Sequence, residues 1–301
     1  MDFELTRREL VGGTVLLALG ATVGTGRTEP TMSALPFAAT TPISVSRVGL
    51  RAKDAENLAA YYHAVVGLEE LSRDGTVITL GAGGRALLDI EKDAAAKPDD
   101  PRSAGLFHTA FLLPSRADLG RWIKHAVEKR IPIDGASDHL VSEALYLTDP
   151  EGNGIEIYVD RPAESWTWKG PHVEMATIGL NIPDIVASVP ADNAEWKGAP
   201  ENSVVGHVHL RVGDPKEAEA WWHKEFGFDT VALYGGQAVF LSSGGYHHHI
   251  GANSWQSPHA GKRDAGRTGL SWVEMRSATA KTNETREDPW GTVIRTVRDE
   301  A

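Results

Sequence analysis

The chain of 301 residues contains no cysteine. This absence excludes disulfide frameworks, thiolate zinc sites, iron–sulfur clusters and cysteine nucleophiles. Any metal must therefore bind nitrogen and oxygen ligands, and the 12 histidines of the chain can supply the nitrogen. The chain also lacks an excess of basic residues. Its formal net charge is -11, so we expect no nucleic-acid partner.

No hydrophobic run is long enough for a stable membrane anchor. The apolar stretch from Val11 to Val23 is broken by glycines and is too short to span a bilayer. Arg7 and Arg8 precede it, which is typical of a twin-arginine export signal, and translation could instead start at Met32. We expect export if the signal is real and a cytoplasmic protein otherwise. Residues 1–40 are left outside the fold, as a signal-like or disordered segment.

Internal repeats organise the rest of the sequence. The alternating segment that begins at Val45 resembles the one that begins at Val205, and a helical run follows each of them, 55–66 and 215–226. Both runs end at a glycine, as helices commonly do. Short strands follow in both copies, with a double glycine before the last strand. This order indicates a βαβββ module of the α+β class.

A second pair of modules begins at Gly105 and at Gly269. The first of these continues through an amphipathic helix, 117–129, to a last strand that follows the Asp-Pro turn at 149–152. The other copy has lost the room for its helix and its two middle strands. We therefore predict repeated βαβββ modules that form two curved mixed-sheet half-barrel pairs, with the fourth module truncated.

Three segments are expected after residue 40. Residues 41–160 would form a first domain from modules one and two, and residues 204–301 a second domain from module three and the truncated module four. Residues 161–203 would connect them. This connection is rich in Trp and Pro, and we expect it to wrap the surface, with Trp166 and Trp168 packed against a module.

One hairpin carries the residues that are most typical of a reaction centre. Tyr146 and Glu156 lie on two strands that the tight turn at 149–152 connects, and His139 precedes the first of them. A carboxylate on the inner face of a curved sheet costs free energy unless it is paired or binds a metal. The pattern therefore makes Glu156 a candidate metal ligand.

This hairpin resembles the signature of the extradiol ring-cleaving dioxygenases, which belong to the vicinal oxygen chelate (glyoxalase/bleomycin resistance/dioxygenase) superfamily. Residues 45–275 are similar to the two-domain catechol 2,3-dioxygenases of bacteria. The resemblance implies that Glu156 binds the metal. It also implies that His139 and Tyr146 flank the substrate, in acid–base and hydrogen-bonding roles.

In the same family a histidine early in the first strand of a module is a ligand. His108 in module two and His207 in module three match this position, whereas module one has Arg47 and module four has Trp272. Modules paired in the usual way, one with two and three with four, would not complete a site. We expect modules two and three to pair, so that His108, Glu156 and His207 meet in one cavity. Modules one and four would then form a pair without ligands.

Two imidazoles and one carboxylate suit non-haem Fe(II), with Mn(II) as the alternative. The resemblance thus implies an extradiol dioxygenase whose partners are a small aromatic diol and O2. His139 suits proton transfer, because imidazole has an ordinary pKa of about 6.5. We expect His209, and His247 and His249 from the triplet 247–249, to contact the substrate, since alternate residues of a strand share a face.

Two other functions stay open at this point. A glyoxalase-like metal-dependent isomerase or lyase uses similar strands without O2, although it usually has a second carboxylate where this chain has His139. A non-catalytic small-molecule binding protein of the same fold is also open, because the truncated module four removes part of a half-barrel. Members of the superfamily often pair modules across subunits, so we expect a homo-oligomer.

Overall fold

Seventeen strands and four α-helices form the computed structural model, which describes residues 34–298. The helices are α1 (Ala55–Tyr61), α2 (Arg116–Lys129), α3 (Ile182–Ala187) and α4 (Pro215–Phe226). The strands are β1 (Ile43–Ala52), β2 (Glu69–Asp74), β3 (Val77–Ala82), β4 (Arg85–Lys92), β5 (Gly105–Leu112), β6 (Gly135–Asp138), β7 (Ser142–Thr148), β8 (Gly154–Asp160), β9 (Trp168–Lys169), β10 (His172–Val173), β11 (Val204–Arg211), β12 (Asp229–Tyr234), β13 (Ala238–Ser242), β14 (Ile250–Asn253), β15 (Gly269–Ser277), β16 (Glu284–Glu287) and β17 (Val293–Arg298).

Two curved mixed sheets contain most of these strands. The first has the order β16-β17-β15-β1-β4-β3-β2, and the second has the order β12-β13-β14-β11-β5-β8-β7-β6. Strand β1 of module one pairs antiparallel with β15 of module four. Strand β5 of module two pairs antiparallel with β11 of module three. The predicted pairing of module two with module three, and of module one with module four, is therefore confirmed.

Each sheet thus takes strands from both 41–160 and 204–301. The domain boundaries proposed from the sequence stay a prediction. The export signal and the alternative start at Met32 lie outside the described residues. Residues 37–40, which the prediction leaves outside the fold, form a turn of 3-10 helix with Ala38 buried. No helix within 34–298 combines the length and the apolar character needed to cross a bilayer.

Module four keeps more structure than predicted. Strand β16 pairs antiparallel with β17, so one of the middle strands is present. The expectation that two middle strands are lost is wrong. The polar segment after Ser277 has room for a turn and a strand of four residues, and only the helix and one strand are missing between 269 and 298.

Helix α2 shows how the modules are joined. Ser115 caps its first turn by accepting from the Asp118 backbone N–H. One face of the helix is buried, as its apolar spacing predicts, with Leu119, Trp122, Ile123 and Ala126. The Trp122 indole donates to the Val65 carbonyl at 2.8 Å. This buried bond connects module two to module one.

The connection 161–203 does not only cover the surface, because it buries Trp166 and forms a short hairpin. Trp166 is 7% exposed and its ring lies 5.8 Å from that of Tyr246, whereas Trp168 is 37% exposed. Only Trp166 is therefore buried as predicted. Strands β9 and β10 form a short antiparallel hairpin, and the segment that follows it reaches the second sheet, where the Ile178 carbonyl accepts from the Asp138 backbone N–H.

Candidate metal centre

Three neighbouring strands of the second sheet bring His108, Glu156 and His207 onto one face. In the strand register, Ala110 of β5 is the partner of both Glu156 in β8 and His207 in β11. His108 lies two residues before Ala110, so its side chain leaves β5 on the same face. The methyl side chain of Ala110 leaves open the space between the three longer side chains.

The donor atoms of these side chains form a small triangle. Glu156 Oε2 lies 3.0 Å from His108 Nε2 and 3.1 Å from His207 Nε2, and the two Nε2 atoms are 3.3 Å apart. Ligands at about 2.1 Å from a metal and at right angles to one another are separated by about 3 Å. The spacing thus fits a metal held on one side by two imidazoles and a carboxylate.

The electrostatics favour an ionised Glu156 carboxylate beside a neutral His207 imidazole. Burial lowers the pKa of His207 to about 4, although Glu156 opposes this shift. Burial alone would raise the pKa of Glu156, but His207 and His108 hold it well below its ordinary value. The ionised carboxylate and the neutral His207 imidazole suit a divalent cation.

Apart from the Nε2 contacts within the triangle, aromatic rings rather than hydrogen-bond partners surround the two imidazoles. Among the described residues, His108 Nδ1 and His207 Nδ1 are buried without a hydrogen-bond partner. His207 lies between Tyr158, at a ring distance of 5.0 Å, and His248, at 4.1 Å. His108 packs 5.0 Å from the ring of His209. The usual carboxylate or carbonyl behind a ligating histidine is thus replaced here by aromatic walls.

His139 and Tyr146 lie together beside the triangle. His139 Nδ1 donates to the Ala176 carbonyl at 2.7 Å, because a carbonyl can only accept. The neutral imidazole therefore has its lone pair on Nε2, which is 2.6 Å from Tyr146 Oη. Burial, followed by the charge of Glu156, raises the pKa of Tyr146 well above its ordinary value. The Tyr146 hydroxyl thus keeps its proton and donates it to His139.

A cavity of about 560 Å³ opens in front of the triangle. His108, Glu156, His207, His139 and Tyr146 all line it. The apolar part of the lining comes from the second sheet and its loops, with Phe107, Ala232, Leu233, Tyr234, Phe240 and Trp255. A cavity of this size is typical of a small-molecule site.

The connection between modules two and three forms another wall that the sequence prediction missed. Its lining residues are Lys169, His172, Val173, Glu174, Met175, Ala176 and Thr177. Nothing in the composition of 161–203 distinguishes a cavity wall from a surface loop. The one available signal is the length of the segment, since long ordered connections are often functional.

The histidine triplet lies differently from the prediction. Strand β14 begins at Ile250, so residues 247–249 do not alternate as strand neighbours do. His248 lines the cavity together with His209, whereas His247 and His249 do not. His249 Nε2 is 3.0 Å from the Ala38 carbonyl. The structure thus brings His209 to the cavity wall as expected, together with His248 in place of His247 and His249.

The first sheet has different residues where the second has its candidate ligands. Trp272 replaces His108, and Arg295 replaces Glu156, with its guanidinium 4.1 Å from the centre of the Trp272 ring. Arg47 replaces His207 and pairs with Glu274 at 3.0 Å and with Asp89 at 3.4 Å. These pairs satisfy the charges without an ion, as expected for the module pair that lacks ligands.

Comparison with known proteins gives matches at three levels. Residues 44–157 match the family model of the Glyoxalase/Bleomycin resistance protein/Dioxygenase superfamily. A catechol-2,3-dioxygenase of Bacillus subtilis (strain 168) is 40% identical over 231 residues, which are 75% of this chain and 80% of that protein. Biphenyl-2,3-diol 1,2-dioxygenase 3 of Rhodococcus globerulus is 34% identical over 112 residues, 35% of this chain and 55% of that protein.

Among solved structures, glyoxalase I from Zea mays superimposes with a TM-score of 0.51 and 13% identity, covering 87% of this chain and 94% of that one. At this identity the likeness concerns the fold alone.

Proposed function

Because the chain belongs to the glyoxalase/bleomycin resistance protein/dioxygenase superfamily, and within it to the extradiol dioxygenases, we propose that it cleaves a catechol-like substrate with O2 at an Fe(II) centre. One observation carries the proposal. Two imidazole nitrogens and one carboxylate oxygen, buried and within 3.3 Å of one another, lie at the wall of a cavity that could hold an aromatic diol.

His108, Glu156 and His207 would hold the metal, and Mn(II) is the alternative to Fe(II). When bound, the ion supplies the electron transfer between the aromatic diol and O2 that the protein side chains cannot supply. The single negative charge of this ligand set leaves a divalent ion with a net positive charge. That charge favours the binding of the diol as an anion at the same place.

His139 and Tyr146 would handle the proton that the diol loses on binding. Tyr146 Oη donates to His139 Nε2, so a substrate hydroxyl near Tyr146 can pass its proton to this pair, with the imidazole as the final acceptor. The bond from His139 Nδ1 to Ala176 fixes the orientation of the ring. The pair can return the proton to the ring-opened product.

The apolar side of the cavity indicates how the aromatic ring is bound. Phe107, Phe240 and Trp255 offer ring faces and edges close to His209. The cavity is larger than an unsubstituted catechol needs, so a ring with an apolar substituent fits the space between these side chains. A homo-oligomer also remains a prediction.

Oxygen uptake tests the proposed function. The protein is loaded with Fe(II) without air, its iron content is measured, and a series of catechols with and without apolar substituents is added in air-saturated buffer. We expect oxygen uptake together with a yellow ring-fission product, and faster turnover of the substituted catechols at low concentration. If the protein holds one iron per chain but consumes no O2 with any catechol, the proposed function is wrong.

A further inference from the structure

A chain of buried hydrogen bonds leads away from the cavity behind His207. His248 lines the cavity, and its Nδ1 is 2.9 Å from His247 Nδ1. His247 Nε2 lies 2.8 Å from Asp160 Oδ1. His247 itself is completely buried and does not line the cavity. None of these three residues is among the candidate metal ligands.

The acceptor at the end of this chain determines where the ring protons lie. A carboxylate oxygen accepts the hydrogen bond from a ring N–H group, so a His247 ring with one proton carries it on Nε2 and donates it to Asp160. His247 Nδ1 then has a lone pair, and the proton between the two histidines must belong to His248 Nδ1. It follows that His248 Nε2 has a lone pair as well.

We propose that Asp160 and His247 are positioning residues that hold His248 with an unprotonated Nε2 at the cavity wall, as the acceptor of a hydrogen bond from the substrate. This inference rests on the proposed function for the nature of the substrate, a diol whose hydroxyl groups are the donors. It adds a second polar contact to the cavity wall, besides the His139–Tyr146 pair.

Three features show that this arrangement is built into the fold. Asp160 Oδ1 also accepts from Tyr246 Oη at 3.1 Å, so a second donor stabilises the carboxylate as an acceptor. Tyr246 Oη is in turn 2.8 Å from Tyr158 Oη. The turn before β14 keeps the adjacent rings of His247 and His248 in contact, with ring centres 4.8 Å apart. A regular strand would point these two side chains to opposite faces.

The proton positions can be read directly by nuclear magnetic resonance. The full chain is labelled with 15N-histidine and loaded with Zn(II), which is diamagnetic and has no redox chemistry. The His248 signals are assigned by their loss in His248→Gln. We expect His248 to carry its proton on Nδ1 and to show a lone-pair nitrogen at Nε2. A proton on His248 Nε2 overturns the proposal. This is the result expected if His247 is doubly protonated, because its Nδ1–H group would then donate to His248 Nδ1.

Substitution of Asp160 or of His247 tests whether these two residues determine the tautomer of His248. In Asp160→Asn the amide N–H group can donate to His247 Nε2, so the proton of His247 moves to Nδ1 and that of His248 to Nε2. In His247→Phe, His248 Nδ1 loses its hydrogen-bond acceptor. We expect both variants to place the proton on His248 Nε2. Their turnover should fall about 10- to 100-fold while the metal content and the far-ultraviolet circular dichroism stay unchanged.

Asp89→Asn is the matched control. Asp89 is a largely buried carboxylate in the first sheet, so this variant repeats the same chemical change away from the cavity. It should leave both the His248 signals and the turnover as they are. If Asp160→Asn and His247→Phe keep the unsubstituted tautomer and turnover, the two residues have no positioning role. Because the spectra need no turnover, failure of oxygen uptake and failure of this inference are separate results.

Discussion

Among single residues, Glu156 has the largest expected effect on metal binding. It is the one carboxylate in the triangle, and its charge offsets that of a bound cation. We expect Glu156→Gln to weaken the binding of Mn(II) and Fe(II) by more than about 100-fold, beyond the loss typical of residues behind the ligands. Titration calorimetry and metal analysis measure this affinity.

Glu274→Gln is the control. It changes a carboxylate of the first sheet and should bind the metal normally. Glu156→Gln that retains one ion per chain would contradict the ligand assignment.

His139 should affect turnover and leave the metal in place. It contacts Tyr146 and the Ala176 carbonyl and does not belong to the triangle. We expect His139→Ala to keep its iron and to lose about 10²–10⁴-fold in kcat, as for a general acid–base group. Steady-state oxygen uptake, normalised to iron content, gives this number. Normal turnover of the variant would remove His139 from the proposed mechanism.

The buried histidines predict that acid destabilises the metal-free protein. Burial lowers the pKa of His249 to about 3, with the Ala38 carbonyl opposing the shift. Between pH 6.5 and 3 the unfolded chain therefore binds a proton that the folded chain does not. The free energy of unfolding must fall as the pH falls through this window, by about 1.4 kcal/mol per pH unit for this residue.

Urea denaturation at pH 7 and pH 5, with a chelator present, measures this dependence. His249→Gln keeps a polar group near Ala38 but cannot take up a proton, so its stability should depend less steeply on pH. An equal slope in both proteins would show that His249 does not contribute.

At the scale of elements, the first sheet depends on a close contact between β1 and β15. A Cβ atom on Gly49 would lie 2.2 Å from the Trp272 indole. We expect Gly49→Ala to destabilise the protein by about 1–3 kcal/mol, because the indole must shift in a packed interior. The metal content should stay the same, since Gly49 lies in the other sheet.

Chemical denaturation and metal analysis of the same samples test both parts of this prediction. Gly179→Ala is the control, since a Cβ atom added to this glycine would have no described atom within 4 Å. Loss of the metal in Gly49→Ala at unchanged stability would contradict this account.

The elements with a regular pattern were predictable from the sequence. Helix α4 coincides with the predicted run 215–226, and α2 begins one residue earlier than expected. The missing ligands of modules one and four also predicted which modules pair. The prediction that the side chains of residues 247–249 alternate between two faces of a strand was wrong. The sequence pattern does not show where the turn ends and β14 begins. The wall formed by 169–177 depends on long-range packing, which leaves no local periodicity.

At the scale of the whole molecule, a bound ion would connect module two to module three. His108 and His207 are 99 residues apart in sequence, so a metal that binds only the folded protein stabilises it as a whole. At a free concentration of about 100 times its Kd, the ion adds about 2.7 kcal/mol. We therefore expect Mn(II) to raise Tm by several degrees, and calorimetric scans measure the shift. If Mn(II) raised the Tm of Glu156→Gln by a similar amount, the ion would bind at another site.

The cross-pairing of the modules also sets the order in which a newly made chain can mature. While the ribosome has released only the first half, β1 and β5 have no neighbours at the edges that β15 and β11 later cover. Exposed edges of this kind invite wrong pairing and aggregation, and contacts between distant segments slow folding. The candidate metal site needs His108, Glu156 and His207 together, so an ion can be held there only after β11 has been made and has paired with β5.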